Sequence, residues 1–206
     1  MLLKNKSNIK VKGVYKTSVL RKFQNDILRR HIVGLKNVNN VLNVGALPTD
    51  GDKEGGLYSD LFSGKEYYTL DMHSSFNSNY HLNYDLHDLS KLDLKFDLIL
   101  VMSVLEHVKN PFIVVNNLCS LMNLSGYIFI CTPFFYPIHK DSQGKFSDYW
   151  RFTDDAIRIL FKGLKEIFIK EAPSVIKQVA DRPTYWDNKT TSVSGYCALF
   201  QEVNEL

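Results

Sequence analysis

Val41-Leu42-Asn43-Val44-Gly45 is an apolar strand that runs directly into a glycine. A glycine at a strand end lets the backbone turn sharply and lets a ligand approach the main chain with no Cβ in the way. The residues that follow, Thr49-Asp50-Gly51-Asp52-Lys53-Glu54-Gly55-Gly56, are dominated by turn formers. Alone, such a junction is only a strand entering a loop. Its neighbours on both sides decide what it is for.

On the N-terminal side, Leu20, Phe23, Ile27, Leu28 and Ile32 recur at helical spacing, with Arg21, Lys22, Arg29 and Arg30 mostly elsewhere on the wheel. The pattern predicts an amphipathic helix over 18–35, preceded by a polar, lysine-dotted tail over 1–16. Residues 1–40 hold ten Lys or Arg and one acid, Asp26, so the net charge of +3 hides a basic arm in front of an acidic body. We divide the chain into this arm, 1–40, serving as a lid or a homodimer contact, and a catalytic domain, 41–206.

On the C-terminal side, short apolar runs near 67–71, 80–83, 97–102, 127–132, 166–170 and 195–202 alternate with helical stretches at 54–63, 111–123 and 153–162. Thr153 ahead of Asp154 and Asp155 reads as an N-cap with acids in the first turn, opposing the positive helix end. This alternation predicts an α/β fold: a mostly parallel seven-stranded sheet, helices on both faces, and a C-terminal antiparallel hairpin joined by an irregular 173–194.

Length and composition narrow the classes further. A chain of 206 residues with 45% hydrophobic and 23% charged residues suits one ordered domain. Its longest apolar runs are too short or too interrupted to span a bilayer, and a cytoplasmic location is expected. Cys119, Cys131 and Cys197 are odd in number, scattered, and set in apolar runs, which predicts buried thiols and no metal site.

Ligands of open α/β sheets bind beyond the carboxyl ends of the strands, so the strand ends carry the candidates. Asp71 closes Tyr67-Tyr68-Thr69-Leu70, twenty-six residues after Gly45, where an acid can accept both hydroxyls of a ribose. Asp85, past the third strand, is placed to accept from an adenine amino group while the Leu86 backbone meets the ring edge; Asp88 is the alternative acid or a loop cap. The fourth strand, Phe96-Asp97-Leu98-Ile99, leads through Met102 and Ser103 into Leu105-Glu106-His107-Val108.

Together these elements resemble the small-molecule class I S-adenosylmethionine-dependent methyltransferases, of the methyltransferase type 11-like kind, over about 41–162. Pro137-Ile138-His139 and Asp148-Tyr149-Trp150-Arg151-Phe152-Thr153 are similar to segments of one group among them. The resemblance implies a Rossmann-like fold and S-adenosyl-L-methionine as cofactor, released as S-adenosyl-L-homocysteine. It implies that Asn43, Gly45 and Ala46 approach the methionine part, that Asp71 and Met72 lie at the ribose, that Asp85 and Leu86 face the adenine, and that Met102 and Ser103 border the sulfonium. Two departures stand out: Asn43 occupies a place often held by an acid, and Ala46-Leu47-Pro48 replaces a second glycine-rich step.

A hydroxyl acceptor benefits from a general base, and His139 after the fifth strand is the first candidate, with His107 second; His73 falls nearer the ribose. Tyr136, Tyr149, Trp150 and Arg151 are candidate acceptor-binding residues. Aromatic clusters of this kind are usually at least half core, and an arginine there commonly pairs with Asp148 or Asp154. The expected acceptor is a small polar metabolite, a sugar for surface-glycan assembly, methylated on oxygen. A nicotinamide-dependent reductase would need G-x-G-x-x-G, which residues 43–50 lack. The basic arm raises an RNA methyltransferase, against which the acidic body argues, and the altered glycine loop raises a catalytically silent scaffold.

Overall fold

The computed structural model describes residues 17–46, 50–72, 80–173 and 193–203. The expected N-terminal tail, the Leu47-Pro48 step, His73 and most of the 173–194 connection lie outside them. Seven strands form one sheet in the order β3-β2-β1-β4-β5-β7-β6. They are β1 (Asn40–Val44), β2 (Glu66–Leu70), β3 (His81–Leu82), β4 (Phe96–Met102), β5 (Met122–Pro133), β6 (Lys165–Ala172) and β7 (Gly195–Gln201). The pairs among β1 to β5 are parallel. β7 runs antiparallel to both β5 and β6, so the expected hairpin is present with its second strand inserted into the sheet. From β1 the sheet grows one way through β2 and β3 and the other way through β4 and β5. The carboxyl ends of β1 and β4 therefore border a crevice at the reversal point.

Alternating side chains on the central strands feed two separate cores. In β4, Ile99 and Val101 join Leu42 and Val44 of β1 on one face, under Val114, Val115 and Leu118 of α3 (Pro111–Ser120) and Ile157 of α4 (Asp154–Leu160). Leu98, Leu100 and Met102 point the other way, to Leu20, Ile27, Leu28 and Ile32 of the N-terminal helix. A continuous apolar run with both parities buried is what a strand covered on two faces requires.

That N-terminal helix is α1 (Val19–Ile27), capped by Ser18 and extended by a π-helical turn over Leu28–Ile32. Its apolar stripe lies on the chain's own sheet. Its polar side holds the loop after β1: Asn25 donates to the carbonyl of Asp52 and to Glu54, Arg29 pairs with Asp52 at 2.7 Å, and Arg21 and Gln24 both donate to the Tyr58 hydroxyl. Helix α2 is only Tyr58–Leu61, shorter than the 54–63 expected. Asp52 accepts from the backbone N–H of Glu54 and Gly56 and so folds 52–56 as a turn instead. The third helix likewise stops at Ser120, because β5 starts pairing at Met122 opposite Phe96. The Thr153 cap is present, its side chain accepting from Ala156 N–H. Cys131 and Cys197, far apart in sequence, are facing buried thiols across β5 and β7. Among the described residues no helix is long and apolar enough to cross a membrane.

The amino end of the central pair is clamped by Asp97. Its carboxylate accepts from Asn39 N–H at 2.8 Å, Asn40 N–H at 3.3 Å and Asn123 Nδ2 at 2.7 Å, while Asn40 Oδ1 accepts from Asp97 N–H. Loss of these charge-assisted bonds in Asp97→Ala is expected to lower stability by about 2–4 kcal/mol, read as a fall in the urea midpoint at unchanged slope.

Candidate functional site

At the carboxyl end of β1, Gly45 adopts φ +68° and donates its N–H to Leu70 O at 2.7 Å. A Cβ there would lie 2.6 Å from Val104 Cγ2, so glycine is required both by conformation and by space. Across the crevice Ser103 leaves β4 at φ +59° and donates its N–H to Cys131 O at 2.8 Å. A non-glycine residue held in this region stores strain of about 1 kcal/mol.

Gly45, Asp71, Met72, Asp85 and Leu86 line one cavity of about 460 Å³. A second of the same size shares Gly45 and Asp71 and takes in Asn43, Ala46, Met102 and Ser103. All nine positions expected to face the cofactor are thus brought onto two adjoining cavities. Asp85 accepts from His87 N–H and faces His87 Nδ1, both at 2.9 Å, and the backbone bond foremost holds its carboxyl below the usual range. Asp88 instead closes a turn on Ser90. Asn43 is buried and donates to Asp50 Oδ1 at 3.0 Å. Asp50 also accepts from Tyr67 Oη and from Ser59 N–H. Asp50, seven residues after Asn43, thus sets a buried carboxylate against that side chain.

The far wall of the crevice carries Arg21, Lys53, Ser103, Glu106, Tyr136 and His139 around a cavity of about 620 Å³. Glu106 and His107 sit in a 3-10 turn, Leu105–His107, just after β4. The loop after β5 is strapped to this turn by Tyr149 N–H and Trp150 N–H, which both donate to Glu106 O. That strap brings the rings of His107 and His139 into an edge contact, 4.9 Å between centroids. His107 Nδ1 is 2.7 Å from Ser147 O, and His139 Nδ1 is 3.1 Å from Pro137 O and 3.2 Å from Asp148 Oδ2. Carbonyl and carboxylate oxygens only accept, so both rings present an N–H at Nδ1. His107 Nε2 lies 3.7 Å from Glu106 Oε1.

Glu106 is fully buried, and neither carboxylate oxygen has a hydrogen-bond partner among the described residues. Burial pushes its carboxyl up to about 8, with the charge of Asp148 adding to the effect. Burial lowers His107 as well. Asp148 goes the other way, down to about 2, because Arg151 hydrogen-bonds it through two nitrogens at 2.5 and 2.7 Å and His139 N–H donates to it.

Several acceptor-side expectations change in this light. Arg151 has its guanidinium on Asp148 and Trp150 O and is not available to an anionic acceptor. The Trp150 indole donates to Val108 O, fixing the strap rather than facing the crevice. Tyr149 lines the cavity with Asp85, and Tyr136 the one with His139. Of the aromatic cluster only Phe152 is core; Phe134, Phe135, Tyr136, Tyr149 and Trp150 are all exposed. Glu106 was missed, although a carboxylate set in the apolar run Val104-Leu105-Glu106-His107-Val108 signals a side chain with a specific task.

A parallel sheet with one inserted antiparallel strand, whose crevice gathers a strand-end glycine and a following acid, defines the class I S-adenosylmethionine-dependent methyltransferase fold. Residues 36–167 match the family described as a methyltransferase domain, and the chain belongs to it. It is an S-adenosylmethionine-dependent methyltransferase. Solved structures agree on the fold. An S-adenosylmethionine-dependent methyltransferase from Archaeoglobus fulgidus is 16% identical at a TM-score of 0.60, over 88% of this chain and 94% of that one. The 1,6-didemethyltoxoflavin-N1-methyltransferase of Burkholderia thailandensis is 11% identical at 0.60, over 91% and 79%. The N-methyltransferase NodS of Bradyrhizobium japonicum, in complex with S-adenosyl-L-homocysteine, is 15% identical at 0.57, over 92% and 90%. No curated protein matches the chain at the level of sequence.

Two outcomes follow from this geometry. Gly45→Ala should lose about 1–2 kcal/mol of stability and bind S-adenosylhomocysteine more weakly in calorimetric titration. Because Asp148 is depressed in the folded state, its contribution is complete above about pH 4 and vanishes as pH falls through about 2. Asp148→Asn should therefore be less stable than wild type by about 2 kcal/mol at neutral pH. Denaturant titrations at stepped pH should show the gap closing only below about pH 4.

Proposed function

We propose that this methyltransferase acts on an oxygen of a small polar acceptor, a sugar or related metabolite of surface-glycan assembly, in the cytoplasm. The observation that carries the reading is the cluster of Glu106, His107 and His139, two members of which border the same cavity as Gly45, Asp71 and Ser103. Cavities of about 460 Å³ on the cofactor side fit a ligand of nucleoside size, and Gly45 lines both of them. When bound, S-adenosylmethionine supplies an electrophilic methyl group on a sulfonium sulfur.

In this reading Asp71 and Met72 hold the ribose, Asp85 and Leu86 the adenine, and Asn43, Gly45, Ala46, Met102 and Ser103 the methionine end. Ser103 and Tyr136 would border the acceptor, and aligning it with the methyl group is most of what the protein must contribute. The cluster would draw off the hydroxyl proton as the acceptor takes the methyl group and S-adenosylhomocysteine is left. A hydroxyl needs that help and a neutral amine needs it less, which favours oxygen.

Calorimetric titration with S-adenosylhomocysteine should show one saturable site, and no binding at millimolar concentration would sink the enzyme reading in favour of a silent scaffold. In a screen of sugars and nucleotide sugars scored by S-adenosylhomocysteine release, His139→Ala should lower kcat by about 10²-fold or more while still binding S-adenosylhomocysteine.

A further inference from the structure

We propose that Glu106, His107 and His139 are the protein ligands of a divalent first-row transition-metal ion that holds the acceptor's oxygen. The inference rests on the acceptor-side reading above and names how the cluster draws off the proton. A carboxylate oxygen of Glu106 and one ring nitrogen of each histidine lie within 4.8 Å of one another. Ligands on a tetrahedral ion at bonds of about 2.05 Å are about 3.3 Å apart, so small side-chain rotations would close the set.

Three further observations point to a cation rather than to a chance grouping. Glu106 is fully buried with both carboxylate oxygens unpartnered among the described residues, a costly arrangement that direct coordination relieves. Nearby guanidinium groups are engaged elsewhere: Arg151 on Asp148 and Arg21 on Tyr58. Both histidines are oriented through Nδ1, one by a backbone carbonyl and the other by a carboxylate, which is how proteins hold imidazoles that bind metal through Nε2. Asp148 is itself fixed by Arg151, so the orienting shell has a shell of its own.

The donor set of two imidazoles and one carboxylate selects zinc, manganese, iron, cobalt or nickel over magnesium and calcium. Glu106 and His139 open onto the cavity with Ser103 and Tyr136, so the ion keeps positions for exogenous oxygen, as in catalytic rather than structural sites. A hydroxyl coordinated there loses its proton to solvent water more readily, because the cation stabilises the oxyanion left behind. His139 then acts as a ligand and takes no proton itself. The expectation of no metal came from the cysteines, which are not among these donors.

The test is titration of the chelator-treated full chain with cobalt(II), read by visible d–d bands and by metal content after gel filtration. One cobalt per chain is expected, lost in Glu106→Gln and in His139→Ala and weakened at least about tenfold in Asp148→Asn. Circular dichroism of the metal-free variants reports folding, and His139→Ala, on a loop, decides the matter should Glu106→Gln fold poorly. No uptake by the wild-type chain, or uptake unchanged in the folded variants, overturns the site. A parallel S-adenosylhomocysteine titration of the wild-type chain separates the two readings. Cofactor binding without cobalt uptake removes the metal alone, whereas cobalt uptake without cofactor binding removes the enzyme reading and leaves the metal site standing.

Discussion

The parallel pairing of β1 with β4 is tied at one end and parted at the other, and the site follows from that asymmetry. At the amino ends Asp97 and Asn40 exchange hydrogen bonds across the two strands. At the carboxyl ends Gly45 and Ser103 both turn through positive φ and leave the sheet. The bonds of Asp97 with Asn39 and Asn40 hold the two strands in register. With the register held, the crevice has a fixed width, and whatever enters meets backbone at Gly45 rather than a side chain.

The N-terminal helix gives the crevice its outer wall. Its apolar side belongs to the second core and its polar side holds the turn of residues 52–56, so this helix packs on the sheet of its own chain. The acceptor side is built differently. It depends on one loop, after β5, fastened by backbone bonds to the turn containing Glu106 and stiffened by the Arg151–Asp148 pair. The cofactor side thus rests on the sheet, while the acceptor side rests on a loop, where side chains can change without disturbing the core.

Much of the fold was legible because it rests on periodicity. The buried strands, the switch to helical spacing and the Thr153 cap are all local signals, and each appears close to where it was expected. Helix α2 was over-read because the carboxylates of Asp50 and Asp52 compete with helix formation through backbone bonds that no periodicity reveals. The positions that line the two cavities beside Gly45 were legible because strand ends are legible. Glu106 was not, since its meaning lies in burial and in the approach of His139 from thirty-three residues away, both tertiary facts. The pairing of Arg151 with Asp148 was legible because the two lie three residues apart.

The hydrogen bond from Asn43 to Asp50 bears on how such a sequence can drift. An acid at position 43 would set a second carboxylate at the 3.0 Å now spanned by an amide and an acid, and the hydrogen bond that the amide donates would be lost. Removing Asp50 first would leave Asn43, the Tyr67 hydroxyl and Ser59 N–H without their acceptor. Neither single step is neutral, so the two positions are coupled and can be exchanged only together.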